Sequence, residues 1–221
     1  MRLLSVNAGR EEPIENGKAS GMSGIYKRPL DSSVRITSLG LEGDTISDTK
    51  NHGGEDQAVY VYTTPDYVWW TQELGRELRP GAFGENLTVT GLESTDIFIG
   101  DRFHVGDVIL EVTAPRIPCA TLAARMDDPK FVRRFREAER PGLYCRVIRE
   151  GEVRAGDTVT LERYCGETIS ALEMFRDFFE TNMSEARLRR HLAAPVAVRD
   201  RVLKERQLGE LLTRTRKSSS R

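Results

Sequence analysis

Between Val34 and Leu161 the apolar residues come in short alternating runs, among them Val34-Arg35-Ile36-Thr37, Ala58-Val59-Tyr60-Val61-Tyr62 and Thr158-Val159-Thr160-Leu161. Successive strand side chains point to opposite faces, so a period of two bounded by Gly and Pro predicts half-buried strands. Leu87 to Thr90 and Val108 to Thr113 read the same way. An apolar-Gly-Asp step precedes three runs, at Ile99-Gly100-Asp101, Val105-Gly106-Asp107 and Ala155-Gly156-Asp157. Gly supplies the positive φ of a tight connection and Asp can bond its own backbone, so each step marks the entrance to a new strand. Many short strands at this spacing predict a barrel or a sandwich. Helices are expected to interrupt them at Pro65 to about Gly75, at Ala120 to Met126, and at Asp128 to about Glu139 with Phe131, Val132 and Phe135 on one face.

After Arg163 the period changes to three and four. Thr168 is placed to cap a helix carrying Ile169, Leu172, Phe175 and Phe179. Asn182 and Glu185 have capping-box spacing ahead of a second helix with Leu188 and Leu192, which stops before Pro195. A third helix is predicted from about Val196 to Leu212, presenting Val198, Val202 and Leu211 or Leu212. Arg214 to Arg221 reads as a frayed basic tail.

Charge sharpens this boundary. The 221-residue chain has 33 basic and 34 acidic side chains, a net of -1, yet residues 1 to 165 hold 21 and 26 while the remainder holds 12 and 8. Seventeen of the nineteen Gly also lie in the first part. The expected organisation is therefore a β domain over 1–165 and a small three-helix domain with a basic tail over 166–221. A near-zero net charge gives no global field that would favour nucleic acid or an anionic membrane. No apolar run approaches ~18 residues, and Met1 to Gly9 is too short for a signal peptide, so a cytoplasmic protein is expected.

Three cysteines at 119, 145 and 165, without a Cys-x-x-Cys, indicate neither a disulfide framework nor a zinc site. Cys119 stands apart because Pro115-Arg116-Ile117-Pro118 stiffens the approach to it and places a guanidinium nearby, at the start of a predicted helix. Such a setting favours the thiolate, which binds metals or attacks electrophiles; the bland reading is a small buried hydrophobe. Cys145 and Cys165 lack the setting and read as core. In Asn51-His52-Gly53-Gly54-Glu55-Asp56-Gln57, paired glycines let backbone N–H groups approach an anion, His52 can donate or coordinate, and the acidic pair could orient a ligand. Plain turn chemistry explains the same residues. Asn86, closing Gly81-Ala82-Phe83-Gly84-Glu85-Asn86, suits either a heterocycle edge or the end of a turn. Lys27, alone, reads as a solvated strand lysine. No Walker or Gly-x-Gly-x-x-Gly spacing supports an ordinary nucleotide cradle.

Taken in order, Ser23-Gly24-Ile25-Tyr26-Lys27, Leu39-Gly40-Leu41-Glu42-Gly43-Asp44, His52-Gly53-Gly54, Gly84-Glu85-Asn86-Leu87, Ile99-Gly100-Asp101 and Arg116-Ile117-Pro118-Cys119 resemble the MOSC domain family, named after the C-terminal part of molybdenum-cofactor sulfurase, and within it the YiiM-like branch. The resemblance covers most of residues 20 to 165, and the helical end is similar to that branch's three-helix extension. It implies a mainly β chain with helices: a β-barrel of the type seen in pyruvate kinase's small domain, followed by the helical domain. It also implies a molybdenum-pterin cofactor, with Cys119 as the metal ligand and Lys27, Arg116, His52, Gly53, Gly54 and Asn86 around the cofactor. The activity implied is reduction of N-hydroxylated compounds such as hydroxylaminopurines. No flavin, haem or iron-sulfur motif is visible, so a separate flavin-type reductase is the expected electron donor. A homodimer is compatible with this reading. An alternative is a sulfur or cofactor carrier with a persulfide on Cys119. The chain lacks the pyridoxal-phosphate domain that precedes MOSC in the sulfurases, which argues against its generating that sulfur. A third reading is a barrel with a structural cysteine and an appendix for protein contacts.

Overall fold

The computed structural model describes the chain apart from residues 18–20, 49–51 and 220–221 and the side chains of 217–219. Asn51 and the last two residues of the basic tail therefore lie outside the described residues. The chain opens with β1 (Arg2–Ala8) and a short pair, β2 (Glu12–Pro13) and β3 (Met22–Ser23). β4 (Arg28–Pro29) returns alongside β1, and β5 (Val34–Thr37) turns into β6 (Gly40–Leu41). β7 (Val59–Thr63) runs straight into α1 (Thr64–Leu74). Then come β8 (Leu87–Thr90), β9 (Arg102–Val105) and β10 (Val108–Pro115), the latter two a hairpin. α2 (Ala120–Met126) and α3 (Phe131–Ala138) precede β11 (Leu143–Arg149), β12 (Gly151–Val153) and β13 (Val159–Glu162). α4 (Ala171–Phe178), α5 (Glu185–Ala193) and α6 (Val198–Ser219) follow.

Eight of these strands form one mixed sheet in the order β13-β9-β10-β11-β7-β8-β1-β4, with β7 and β8 parallel and the other pairs antiparallel. The expectation of a closed barrel needs correcting. β1 spends its backbone on β8 and β4, and the start of the chain meets the opposite edge through an isolated bridge, Arg2 to Thr158, flanked by hydrogen bonds from Leu3 N–H to Asp157 O at 2.9 Å, Gly156 N–H to Leu3 O at 2.7 Å and Val159 N–H to Met1 O at 3.1 Å. The sheet curls until its ends touch, but no continuous ladder joins β13 to β1.

Why these residues form these elements is clearest at α1. Thr63 Oγ1 accepts from the Asp66 N–H and donates to its carboxylate at 2.8 Å, Pro65 sits in the first turn, and Gly75 ends the helix at φ 62°. The buried face of α1 then meets the sheet and α3 in an aromatic cluster. Trp70 is 5.0 Å from Phe131 and 5.9 Å from Phe135 between ring centroids, and Phe83 is 4.4 Å from Tyr62. Burying each such ring contributes roughly 1.5–3 kcal/mol, enough to fix the Gly81–Asn86 turn that carries Phe83.

The C-terminal helices differ from expectation in their caps and faces. α4 is capped by Ser170, whose Oγ accepts from Glu173 N–H at 3.0 Å; Thr168 instead donates to Ile99 O at 2.5 Å. Residues 168–170 are held in extended form by pairing with Ile97 to Ile99, so the helix cannot begin earlier. Ser184, not Asn182, caps α5. α6 continues past Leu212 to Ser219, and Val198 and Val202 are exposed while Lys204 is buried. No helix among the described residues is long and apolar enough to cross a membrane.

Candidate functional site

β10 ends in Pro115, and the stiff Arg116-Ile117-Pro118 segment delivers Cys119 as the residue preceding α2. Arg116 turns inward and is buried: its guanidinium donates to Phe83 O and lies 4.9 Å from the centroid of the Tyr60 ring. Its Nε is also buried and has no hydrogen-bond partner. Cys119 is half-buried, and His52 is hydrogen-bonded to its sulfur. Burial opposes ionisation of the thiol, but the His52 hydrogen bond, the Arg116 charge and the Leu122 N–H together outweigh it. The pKa falls from the ordinary 9.0 to about 6, so the sulfur is a thiolate at neutral pH.

An open cleft lies in front of this sulfur, about 700 Å³ when the space open to solvent is included. Lys27, His52, Gly53, Asn86, Arg116 and Cys119 all line it, whereas Gly54 does not. Gly54 instead precedes the single turn Glu55–Gln57. Two glycines explain how close the backbone comes. A Cβ on Gly24 would lie 1.9 Å from Thr45 O, and Gly53 sits at φ 75° where a Cβ would press on Ile46 at 2.9 Å.

Other expected roles change. Lys27 is not solvated: it is buried and ion-paired to Asp44, and burial lowers its pKa more than Asp44 raises it. The amide of Asn86 is already engaged, Oδ1 accepting from Tyr60 N–H at 3.1 Å and Nδ2 donating to Asp44 at 2.9 Å, so it builds the wall of the cleft. Glu85 behind it is fully buried and accepts from Tyr67, Gly81, Phe83 and Thr88. Asp56 does not orient a ligand from the His52 loop; it accepts from Val198 N–H at 2.6 Å and pairs with Arg146 at 2.9 Å, tying the loop to α6. Cys145 is buried, and burial pushes its thiol far up; Cys165, expected in the core, is exposed because β13 ends three residues earlier.

Sequence reasoning passed over Gly24, Asp44, Gln57, Tyr60 and Tyr144 as site residues. Asp44 gathers Lys27, Asn86 and the Gly9 N–H at 2.8 Å; its sequence signal was its place at the end of the Leu39-to-Asp44 segment. Tyr60 and Tyr144 face each other across β7 and β11, with ring centroids 5.0 Å apart. Burial raises both phenols, so they stand neutral in the wall. No cluster of three or more His, Cys, Asp or Glu suited to a metal ion occurs among the described residues; Cys119 is a soft donor facing the cleft, with the His52 imidazole beside it.

A curled mixed sheet thus carries a thiolate over a glycine-lined cleft, with a helical unit appended. Residues 48–160 match the model of the MOSC domain, and the chain belongs to that family, which is associated with the molybdenum cofactor. It is 38% identical over 159 residues to YflK of Bacillus subtilis, covering 72% of each chain. It is 32% identical over 155 residues to YiiM of Escherichia coli, covering 69% of this chain and 68% of that one. A protein of Gibberella moniliformis named Reductase is 37% identical over 165 residues, of which this chain spans 29% of the length. The solved structure of YiiM from Geobacillus stearothermophilus superposes with a TM-score of 0.78 at 26% identity, over 94% of this chain and 98% of that chain. The chain is thus a YiiM-like MOSC protein.

Proposed function

We propose that this chain is a molybdenum-cofactor-dependent oxidoreductase that reduces N-hydroxylated compounds, hydroxylaminopurines among them, in the cytoplasm with electrons from a separate flavin-type reductase. The observation that carries the reading is the Cys119 thiolate, held by His52 and Arg116 on the lining of an open cleft. The Gibberella relative's name, Reductase, supports it.

The residues present fit the group. A soft thiolate suits a high-valent metal that already has sulfur ligands. The buried Arg116 Nε, which lacks a partner, is a donor for an anionic cofactor, and Gly24 and Gly53 let main chain approach where a Cβ would intrude. Lys27 arrives as an ion pair with Asp44, so it contributes an oriented donor more than a net charge. When bound, the molybdenum centre supplies two-electron oxygen-atom chemistry. Cys119 Sγ anchors it, Arg116 keeps that sulfur ionised, and the neutral Tyr60 and Tyr144 rings keep water from the inner wall. In this reading residues 1–165 hold the cofactor and 166–221 form the helical unit.

Protein from a host that makes the cofactor is expected to contain stoichiometric molybdenum. Cys119→Ala is expected to lose the metal and the reduction of 6-hydroxylaminopurine in the presence of a flavin reductase. Full activity in that variant would refute the ligand assignment. A persulfide on Cys119 in wild-type protein without molybdenum, read by mass spectrometry, would favour the carrier.

A further inference from the structure

The cofactor cleft has a neighbour. A second cleft, about 1410 Å³ when the space open to solvent is included, shares His52, Gln57, Cys119 and Tyr144 with the first, and its far wall is built by α4, α5 and α6. The helical unit therefore stands over the same cysteine. This wall is mixed in character. Met174, Phe178 and Leu203 face Ile117 and Pro118 as apolar surfaces, while Asp177, His191, Asp200, Lys204 and Gln207 supply polar groups.

Besides Asp177 Oδ1, which has only its ion pair with Arg187, three polar atoms on this lining are buried without a hydrogen-bond partner: Gln57 Oε1, His191 Nδ1 and Gln207 Oε1. His191 itself is 1% exposed, and its other nitrogen, Nε2, lies 2.7 Å from Asp177 Oδ2. Asp177 is further fixed by an ion pair with Arg187. A carboxylate only accepts, so Nε2 carries the proton and Nδ1 of the neutral ring is an acceptor. Burial lowers the His191 pKa more than Asp177 raises it, which favours that neutral ring. A buried acceptor without a donor is costly, and here three come from three separate elements and line one cleft. Three acceptors select a ligand rich in N–H and O–H donors; apolar flanks select one that is flat. A hydroxylamino- or amidoxime-type group on an uncharged aromatic ring has both properties.

We propose that α4–α6 complete the substrate site of this protein, with Gln57, His191 and Gln207 binding the donor-bearing edge of a flat N-hydroxylated compound beside Cys119. The inference rests on the reductase reading for the identity of the reacting group. Asp177 is a positioning residue: it fixes the His191 tautomer and touches no ligand.

The test is isothermal titration of the full-length chain, purified from a cofactor-competent host, with 6-hydroxylaminopurine and with 6-dimethylaminopurine, which has no exocyclic donor. Gln207→Leu and His191→Phe are each expected to weaken 6-hydroxylaminopurine about tenfold, the effect of losing one good hydrogen bond. Both should leave 6-dimethylaminopurine binding and molybdenum content unchanged. Wild-type affinity for 6-hydroxylaminopurine in Gln207→Leu, which alters a half-buried side chain and spares the core, would overturn the proposal even if His191→Phe misfolds. So would equal loss for both purines. Absence of molybdenum from wild-type protein that still discriminates the two purines would sink the reductase reading and leave this site standing.

Discussion

The Cys119 thiol can be titrated directly in cofactor-free protein. With its pKa at about 6, the sulfur is about nine-tenths thiolate at pH 7, against about one per cent for a thiol at the ordinary 9.0. The gain in rate is much smaller than that ratio. Thiolate nucleophilicity falls with pKa at a slope of about 0.4–0.5, which takes back roughly 15- to 30-fold and leaves Cys119 about three to six times faster than an ordinary thiol at pH 7. The diagnostic quantity is therefore the midpoint of the rate against pH. In Cys165→Ser protein, which removes the exposed competitor, iodoacetamide labelling followed by intact mass is expected to rise with a midpoint near pH 6 and level off above pH 7. Cys145 is buried and its thiol pushed far up, so it should stay silent. His52→Ala removes the larger of the favourable interactions and is expected to move the midpoint up by about one pH unit. A wild-type rate still climbing through pH 8 would refute the electrostatic account of the site.

Two further outcomes concern the frame around the sulfur. Gly24→Ala drives a Cβ to within 1.9 Å of Thr45 O, a backbone atom that cannot step aside cheaply; a loss of about 2–4 kcal/mol in urea denaturation is expected, and a neutral result would show that the two segments can separate. Glu85→Ala leaves the buried Gly81 and Phe83 N–H groups without their acceptor and should cost about 3 kcal/mol or more by the same measurement.

What the sequence disclosed followed from periodicity and short-range stereochemistry. The alternation of Val34 to Thr37 and Leu87 to Thr90 and the three apolar-Gly-Asp steps mark real strand entrances, because side-chain direction along a strand is a local property. The setting of Cys119 was equally local, being written in the prolines and arginine just before it. The misreadings came from contacts distant in sequence. Thr168 looks like a cap until Ile99 claims its hydroxyl, and Asp56 looks like a ligand-orienting acid until the first turn of α6, about 140 residues on, occupies its carboxylate. Lys27 looks solvated because its partner, Asp44, lies seventeen residues away. Val198 and Val202 fit an amphipathic stripe, but α6 turns Lys204 inward to the cleft and leaves both valines outside.

The Asp56 contacts also bear on how the protein comes apart. One carboxylate receives the first amide of α6 and the Arg146 guanidinium of β11, while the Asp56 carbonyl accepts from Thr113 of β10 at 2.6 Å. The segment bearing His52 is thus pinned by the sheet and by the helical end at one residue. Detaching α6 strips that carboxylate of a backbone donor and slackens the loop that polarises Cys119, so the helices and the reactive sulfur belong to one cooperative opening unit. Release of the first turn of α6, where Val198 meets Asp56, is therefore expected to show as a loss of thiolate character at Cys119.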